Sequence, residues 1–317
     1  MDYFNCLDAF VRVAEVGNFT EVARQLGVSR SVISSRIQQL EEHVGVALFH
    51  RSTRSVSLSQ VGQSFYGECA QLVARANEIV EEMRNARGSP SGTLRVHGIP
   101  GLVLGHMATF LRSFSEKYPA IQFDFVVNDA VVDPVKEGFD CALQLFAPIS
   151  DDLIQRKLFP VHRIFCASPD YLSHHSPMQS PHDLAEHALG LYSRYPNKDR
   201  WVFHSTNETV EVTLTPSVKS NSIHFLKEIA LEGMGVVCLP SFVCAKEIQS
   251  GLLTPLLNEY WLSPYWVSAV YPRTQRNLVL LRLFLDELLS TFTPSPAWDS
   301  ALSSKGALLV PPDTEQP

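Results

Sequence analysis

The stretch NFTEVARQLGVSRSVISSRIQQLEEHVG, from Asn18 to Gly45, constrains this chain more than any other. It reads as two short helices joined by a tight turn. Thr20 is placed to cap the first, its hydroxyl accepting a free backbone N–H. Val22, Ala23 and Leu26 give that helix one small apolar side. Gly27 stands where the chain must bend, a geometry glycine adopts without steric cost. Ser29 is placed to cap the second helix. Along it Ile33, Ile37, Leu40 and Val44 recur at steps of four, three and four, which marks one buried helical face. The opposite face carries Arg30, Ser31, Ser34, Ser35 and Gln38. These are short or forked hydrogen-bonding groups, where a solvated helix has a Glu/Lys mix. Such a surface at the front of a helix suits the major groove, whose base edges display donors and acceptors. An ordinary helical hairpin in a core gives the same short pattern, so the flanking sequence decides.

On the C-terminal side, VGVALFHRSTRSVSLSQVG from Val44 to Gly62 reads as a two-stranded wing. Phe49, Val56 and Leu58 are its apolar side. Arg51 and Arg54 flank the bend, where guanidinium groups hold phosphates or enter a minor groove. Before the pair of helices, residues 3 to 16 make a first helix, with Phe4, Leu7, Phe10, Val11 and Ala14 on one face. The ordered pieces FVRVAEVGNFTEVARQLGVS, QQLEEHVGVALFHR and TRSVSLSQVG resemble the winged helix-turn-helix domain of the LysR-type transcriptional regulators. The resemblance implies double-stranded promoter or operator DNA as a partner. The DNA-contacting set expected on this basis is Thr20, Ser29, Arg30, Ser31, Ser34, Ser35, Arg36, Gln38, Arg51, Thr53 and Arg54. Two positions depart from the family. Gln commonly stands where this chain has Arg30, and a basic residue where it has Ser35. An arginine at the front of the helix suits the O6/N7 edge of guanine, so the operator is expected to differ at that base.

Charge alone does not announce a DNA binder. The 317 residues carry a formal net charge of −7. Residues 1–60 hold six Arg and no Lys against six acids, so the deficit lies downstream and any basic footprint in the head is local.

Between Ser59 and Arg87 runs a long helix without proline. Phe65, Cys69, Leu72, Ala76, Ile79 and Met83 alternate steps of four and three, a heptad seam that wants a partner helix. The alternative is a helix lying on its own domain. Linker helices in the family pair in this way, which implies a homodimer and, from two dimers, a tetramer. A joint, GSPSG at residues 88–92, ends the helix. Beyond it strands alternate with helices: TLRVHGIP, IQFDFVV, CALQLF, VHRIFCAS and YWVSAVY are strand-like, and a mainly parallel α/β sheet is predicted. The segments EGFDCAL, CASPDYLSHHSPMQSPHDLAEH, SNSIHFLKEIALEGMGVVCLP and PRTQRNLVLLRLFLDELL resemble the effector domain of the same family, which has the fold of periplasmic solute-binding proteins.

The expected fold class is therefore α/β and multidomain. A mainly α winged helix-turn-helix covers 1–62 and a linker helix with hinge covers 63–92. A two-lobed effector domain covers 93–292, with lobe I at 93–163 and 267–292 and lobe II at 164–266. The proline- and serine-rich remainder, 293–317, is expected to be disordered. No basic start followed by an apolar run suggests a signal peptide, and no apolar segment is long enough to span a bilayer. Cytoplasmic residence, without a membrane partner, is the expectation.

Clefts in folds of this kind lie at strand ends, beside turns that lead into helices. Carried over from the family, the effector pocket is lined by Ile99, Pro100, Gly101, Gln144, Phe146, Tyr192, Asn221 and Ser222. As ordinary turn residues they would have no such role. The family's first turn often holds a Ser or Thr that grips a carboxylate, whereas this chain has IPG. The strand ending at Gln144 often carries an Arg at that place. These losses point to a neutral or less polar small-molecule effector, with Arg194 or His97 as alternative sources of charge. RNA polymerase is a further partner implied by the regulator reading.

Other chemistry has little support. Six cysteines form no CxxC pair and no zinc spacing, and Cys141, Cys166 and Cys238 sit in apolar runs. A redox pair of Cys238 and Cys244 is an alternative without a basic neighbour that would favour the thiolate. His162, His174, His175, His182 and His187 crowd one segment, but none pairs at a helical spacing beside a third ligand. No GxSxG elbow, phosphate loop or HExxH occurs, so neither catalytic residues nor a cofactor are expected. The rivals are a transport receptor, which should carry an export signal, and an enzyme working in the cleft, which turnover of a compound would reveal.

Overall fold

The computed structural model describes residues 2–51, 56–85, 90–150, 153–197, 199–273 and 278–309. The head begins with α1 (Tyr3–Val16), α2 (Phe19–Leu26) and α3 (Arg30–Val44). Strands β1 (Phe49–Arg51) and β2 (Val56–Leu58) pair antiparallel, with Phe49 opposite Leu58. Gly27 turns the chain between α2 and α3 at φ +65°, a conformation that L side chains rarely adopt. Phe10, Val13, Val22, Ile33, Ile37, Leu40 and Leu48 are fully buried together. Each contributes about 1.5–3 kcal/mol of apolar burial. Two expected caps are corrected. Asn18, not Thr20, caps α2: its Oδ1 accepts from the N–H of Thr20 and Glu21. Thr20 already lies within the first turn. Ser29 holds the cap position of α3 but makes no cap bond, since its hydroxyl pairs with Ser31 Oγ at 2.8 Å.

Helix α4 (Gln60–Asn85) leaves the wing and passes the head. Gly62 sits so close to Leu48 that a Cβ there would stand 2.1 Å from its carbonyl oxygen. The predicted seam is therefore divided. Cys69 is buried in the head core with Tyr66, Ala70 and Val73, and the Phe65 ring lies 5.5 Å from Phe10. Leu72, Ile79 and Val80 remain about half exposed. Close approach to the head takes the first turns out of the seam, and the exposed apolar stripe begins at Leu72. The Met83 side chain lies outside the described residues.

Lobe I is built from β3 (Gly92–Gly98), α5 (Pro100–Leu102), a π turn at Val103–Met107, and α6 (Ala108–Lys117). It continues with β4 (Ile121–Val127), α7 (Pro134–Glu137), β5 (Cys141–Gln144) and β6 (Leu153–Val161). The chain crosses to lobe II at His162. There follow β7 (Arg163–Ala167), α8 (Pro169–Ser173), a 3-10 turn at Pro181–Glu186, β8 (Leu189–Tyr192), β9 (Arg200–His204), β10 (Thr209–Thr213) and β11 (Val218–Ser220). Helix α9 (Ile223–Leu231), β12 (Val236–Pro240), α10 (Ser241–Gln249), β13 (Thr254–Leu256) and β14 (Trp261–Leu262) complete it. The chain returns through Ser263 and Pro264 to β15 (Tyr265–Pro272) and α11 (Leu278–Phe292).

Each lobe holds a five-stranded sheet, ordered β4-β3-β5-β15-β6 and β11-β8-β12-β7-β13. In each, a single strand, β15 or β7, runs against the others. These two antiparallel strands adjoin the crossings, where the chain must change direction to change lobe. Arg163 ties the crossings together. Its Nη2 donates to Ser263 O at 2.9 Å, and its guanidinium lies 4.2 Å over the Tyr265 ring.

The tail overturns the expectation of disorder over much of its length. Helix α12 (Ala297–Ser303) packs on α10 and lobe I. Trp298 and Leu302, one turn apart, are both buried. The Trp298 ring lies 4.2 Å from His106 and within 6.0 Å of Phe159, Phe242 and Phe292. Two large apolar groups on one helical face outweigh the disorder-prone composition around them. Asp299 is only 1% exposed and lies 4.0 Å from His162 Nε2. Burial pushes the Asp299 carboxyl up to about 7 and His162 down to about 4. Residues 310–317 lie outside the described residues.

Candidate nucleic-acid interface and ligand cleft

Burial of Ile33, Ile37 and Leu40 fixes the rotation of α3, and with it what the helix turns outward. Arg30, Ser31, Ser35 and Gln38 are exposed and Ser34 is half-buried. Thr20 and Ser29 are exposed on the adjoining turn of the head. Gln39 donates to Ser35 Oγ at 3.2 Å, and Gln38 donates to Glu42 at 2.9 Å. Arg36 is half-buried and lines a groove with Ser31 and Ser35 of α3 and with Asp2 and Asn5 at the α1 end. At 100° per residue it falls on the far flank of the helix from Arg30 and Ser34. The wing is held to α3 by Glu41, whose Oε1 accepts from the N–H of Leu48 and Phe49. Sequence reasoning missed that role, although an acid at the end of a polar helix just before a strand is its signal. Arg51 is in β1, but its side chain, Thr53 and Arg54 lie outside the described residues.

The second candidate is a narrow cleft between the lobes, with a cavity of only about 20 Å³ in the arrangement described. Of the expected lining residues, Ile99, Gln144, Phe146 and Tyr192 are brought together there. Pro100, Gly101, Asn221 and Ser222 do not line it. Gly101 lies behind the wall, where a Cβ would stand 2.7 Å from Ile223 and from Phe242 of the other lobe. Asn221 is exposed, and the Ser222 hydroxyl caps α9 by accepting from Phe225 N. Asp129, Val131, Leu145, Tyr195, Ile223 and Phe242 are among the other lining residues and escaped the sequence reading. The alternating apolar residues after β4 and at the starts of α9 and α10 carried the only hint.

The cleft is mostly apolar with a few buried polar atoms. Gln144 is 1% exposed; its Nε2 donates to Phe146 O at 3.1 Å, and its Oε1 has no partner. The Tyr195 hydroxyl is likewise buried without a partner. Burial raises the Asp129 carboxyl, with Arg194, His224 and His97 opposing that rise. Neither expected alternative cation lines the cleft. Arg194 is exposed and donates to the Asp129 carbonyl, while His97 is buried and bonds to Asn128 at 2.9 Å.

The histidine-rich segment has local uses. His175 stacks on Tyr171 at 3.9 Å, His187 Nδ1 meets the Tyr171 hydroxyl at 3.2 Å, and His174 bonds to Asp170 O. Among the described residues, no three His, Cys, Asp or Glu converge on a point that could hold a metal. The six cysteines are buried as free thiols, and burial pushes Cys238 up to about 12, away from a reactive thiolate. No helix among the described residues is long and apolar enough to cross a membrane.

Comparison with known proteins identifies both parts of the chain. Residues 4–63 match the family model "Bacterial regulatory helix-turn-helix protein, lysR family", and residues 87–293 match "LysR substrate binding domain". The HTH-type transcriptional regulator PtxR of Pseudomonas aeruginosa is 30% identical over 284 residues, covering 90% of this chain and 91% of that protein. CrgA of Neisseria meningitidis is 30% identical over 284 residues, covering 89% of this chain and 95% of that protein. A solved structure of CrgA aligns with a TM-score of 0.56 at 28% identity, over 90% of this chain and 98% of that one. The full-length structure of the Vibrio cholerae virulence activator AphB gives 0.54 at 25% identity, over 90% and 98%.

Proposed function

This chain belongs to the LysR-type family of transcriptional regulators, and we propose that it binds promoter DNA as a homodimer or a pair of dimers under control of a small molecule held between its lobes. The observation that carries this reading is the surface of α3: Ile33, Ile37 and Leu40 are fully buried, and the front of the helix leaves Arg30, Ser31 and Ser35 in solvent, with Gln38 beyond them. Such a surface offers hydrogen bonds to base edges in the major groove. The wing residues Arg51, Thr53 and Arg54 are placed by the reading on phosphates or the neighbouring minor groove. Thr20 and Ser29 sit where backbone contacts beside the helix are made. Leu72, Ile79 and Val80, apolar and exposed on α4, are the surface for a second copy. Two copies would present two α3 helices to a two-fold site.

The cleft supplies the control. Gly101 of lobe I packs tightly against Ile223 and Phe242 of lobe II, so the described arrangement is a closed one. A ligand that binds an open arrangement better shifts the population toward it, and can shift it only by that difference in affinity. Cytoplasmic residence and contact with RNA polymerase at the promoter belong to the same reading. The test is selection of a binding site from random duplexes by the full chain, then titration at several salt concentrations. A site-selective, salt-steep complex with a two-fold sequence is expected. Equal affinity for every duplex would overturn the reading.

A further inference from the structure

We infer that the cleft takes a compact, largely apolar molecule that is not an anion and carries an O–H or N–H donor. The inference rests on the ligand-cleft reading of the proposed function and deepens it. Three features of the cleft carry it.

The lining is dominated by apolar side chains, among them Ile99, Val131, Phe146, Ile223 and Phe242. Among the described residues its one charged member is the Asp129 carboxyl, and no basic side chain lines it. A carboxylate ligand would therefore be desolvated beside Asp129, and the nearest cation, Arg194, stands outside the lining and already acts on that carboxyl.

The unpartnered polar atoms in the wall favour a donor on the ligand. Gln144 is nine-tenths buried or more, and its amide orientation is fixed because Nε2 already donates to Phe146 O. Turning the amide over would set two oxygens against each other. The free atom is therefore Oε1, an acceptor with no donor in reach. A buried acceptor left unpaired is costly, so a ligand O–H or N–H recovers that cost on binding. The Tyr195 hydroxyl is also buried and unpartnered, and it can give or take a hydrogen bond.

The turn that could hold an anion is disarmed. Pro100 opens α5 and has no N–H to give. The hydroxyl of Ser222 is engaged in capping α9. Neither Pro100 nor Ser222 reaches the cleft lining to hold a carboxylate there.

The test compares three molecules of nearly one shape against the full chain: benzyl alcohol, benzylamine and benzoate. Dissociation constants come from ligand-observed NMR. Benzyl alcohol and benzylamine should each bind at least roughly tenfold tighter than benzoate, the scale of one buried hydrogen bond. Gln144→Met should cost the two donors roughly three- to tenfold while leaving the near-UV spectrum intact. Gln144→Glu should tighten benzylamine above benzyl alcohol. Gly101→Trp, whose indole would push the Ile223 and Phe242 side chains into the cleft they line, should abolish binding of both. Benzoate binding as tightly as the donors, with binding lost in Gly101→Trp, overturns the proposed ligand class but leaves the cleft reading standing. Donor binding unchanged in Gly101→Trp overturns both, because the molecules then sit elsewhere. No binding by either donor overturns the proposed class.

Discussion

Replacement of Asp299 by asparagine tests how the tail is held. Asp299 lies 1% exposed on α12, 4.0 Å from the His162 ring. Its carboxyl titrates at about 7. An unfolded Asp titrates at about 3.9, so the folded chain holds this proton more tightly and the group contributes stability at low pH. That contribution is lost as pH rises through the folded value, about 4 kcal/mol in all across the window and about 1.4 kcal/mol of it between pH 6 and 8. His162 works in the opposite sense. Its folded value is about 4, below the unfolded 6.5, so its contribution improves as pH rises toward the unfolded value. Wild-type stability should therefore change little or fall slightly from pH 6 to 8. The Asp299→Asn protein keeps only the His162 effect, and its stability should rise. The gap between the two proteins should move by about 1.4 kcal/mol, or about 3–6 °C in Tm for a domain of this size. Thermal melts at the two pH values measure it, with amide exchange over α12 showing whether the tail opens alone. A gap that is the same at pH 6 and pH 8 would refute the buried proton.

The head and the linker carry further expectations. Arg30→Ala should cost about 1–3 kcal/mol at a selected site and relax the choice of one base, read by competition between duplexes. Arg51→Ala should weaken all duplexes alike and lower the salt slope by about one charge, measured by titration at several ionic strengths. Leu72→Glu with Ile79→Glu should give monomers by light scattering, since both side chains are about half exposed on α4; an unchanged oligomer places the interface elsewhere. Gly62→Ala should destabilise the head by at least about 1–3 kcal/mol in urea melts. The new Cβ would stand 2.1 Å from the Leu48 carbonyl, a backbone atom that cannot step aside.

The head was legible because its signals are local. Ile33, Ile37 and Leu40 are spaced by the helical period itself, and Gly27 marks its own turn. The caps were misread because Asn18 and Thr20 both suit the role and the choice depends on a two-residue shift in where α2 begins. The seam on α4 was legible as a period but not as a destination. Phe65 and Cys69 look like Leu72 and Ile79 in sequence, and only the closeness of Gly62 to Leu48 sends the first pair inward. In the cleft, strand-end residues such as Gln144 and Tyr192 were found, whereas Asp129, Tyr195 and Phe242 come together from distant segments. The tail was misjudged on composition. PAWDSALS carries Trp298 and Leu302 one turn apart, a pattern too short to stand out and too apolar to stay in water.

The packing of Trp298 also bears on how the lobes move. Its indole is wedged among His106 and Phe159 of lobe I and Phe242 of lobe II. Any guest that spreads the lobes must either drag this wedge along or dislodge it. Filling the hollow and freeing the carboxy-terminal latch are then two sides of one equilibrium. By thermodynamic reciprocity, whatever tightens the latch weakens the guest's hold by the same factor that the guest weakens the latch. Clipping the chain before Trp298 would act on the molecule as a fixed dose of ligand.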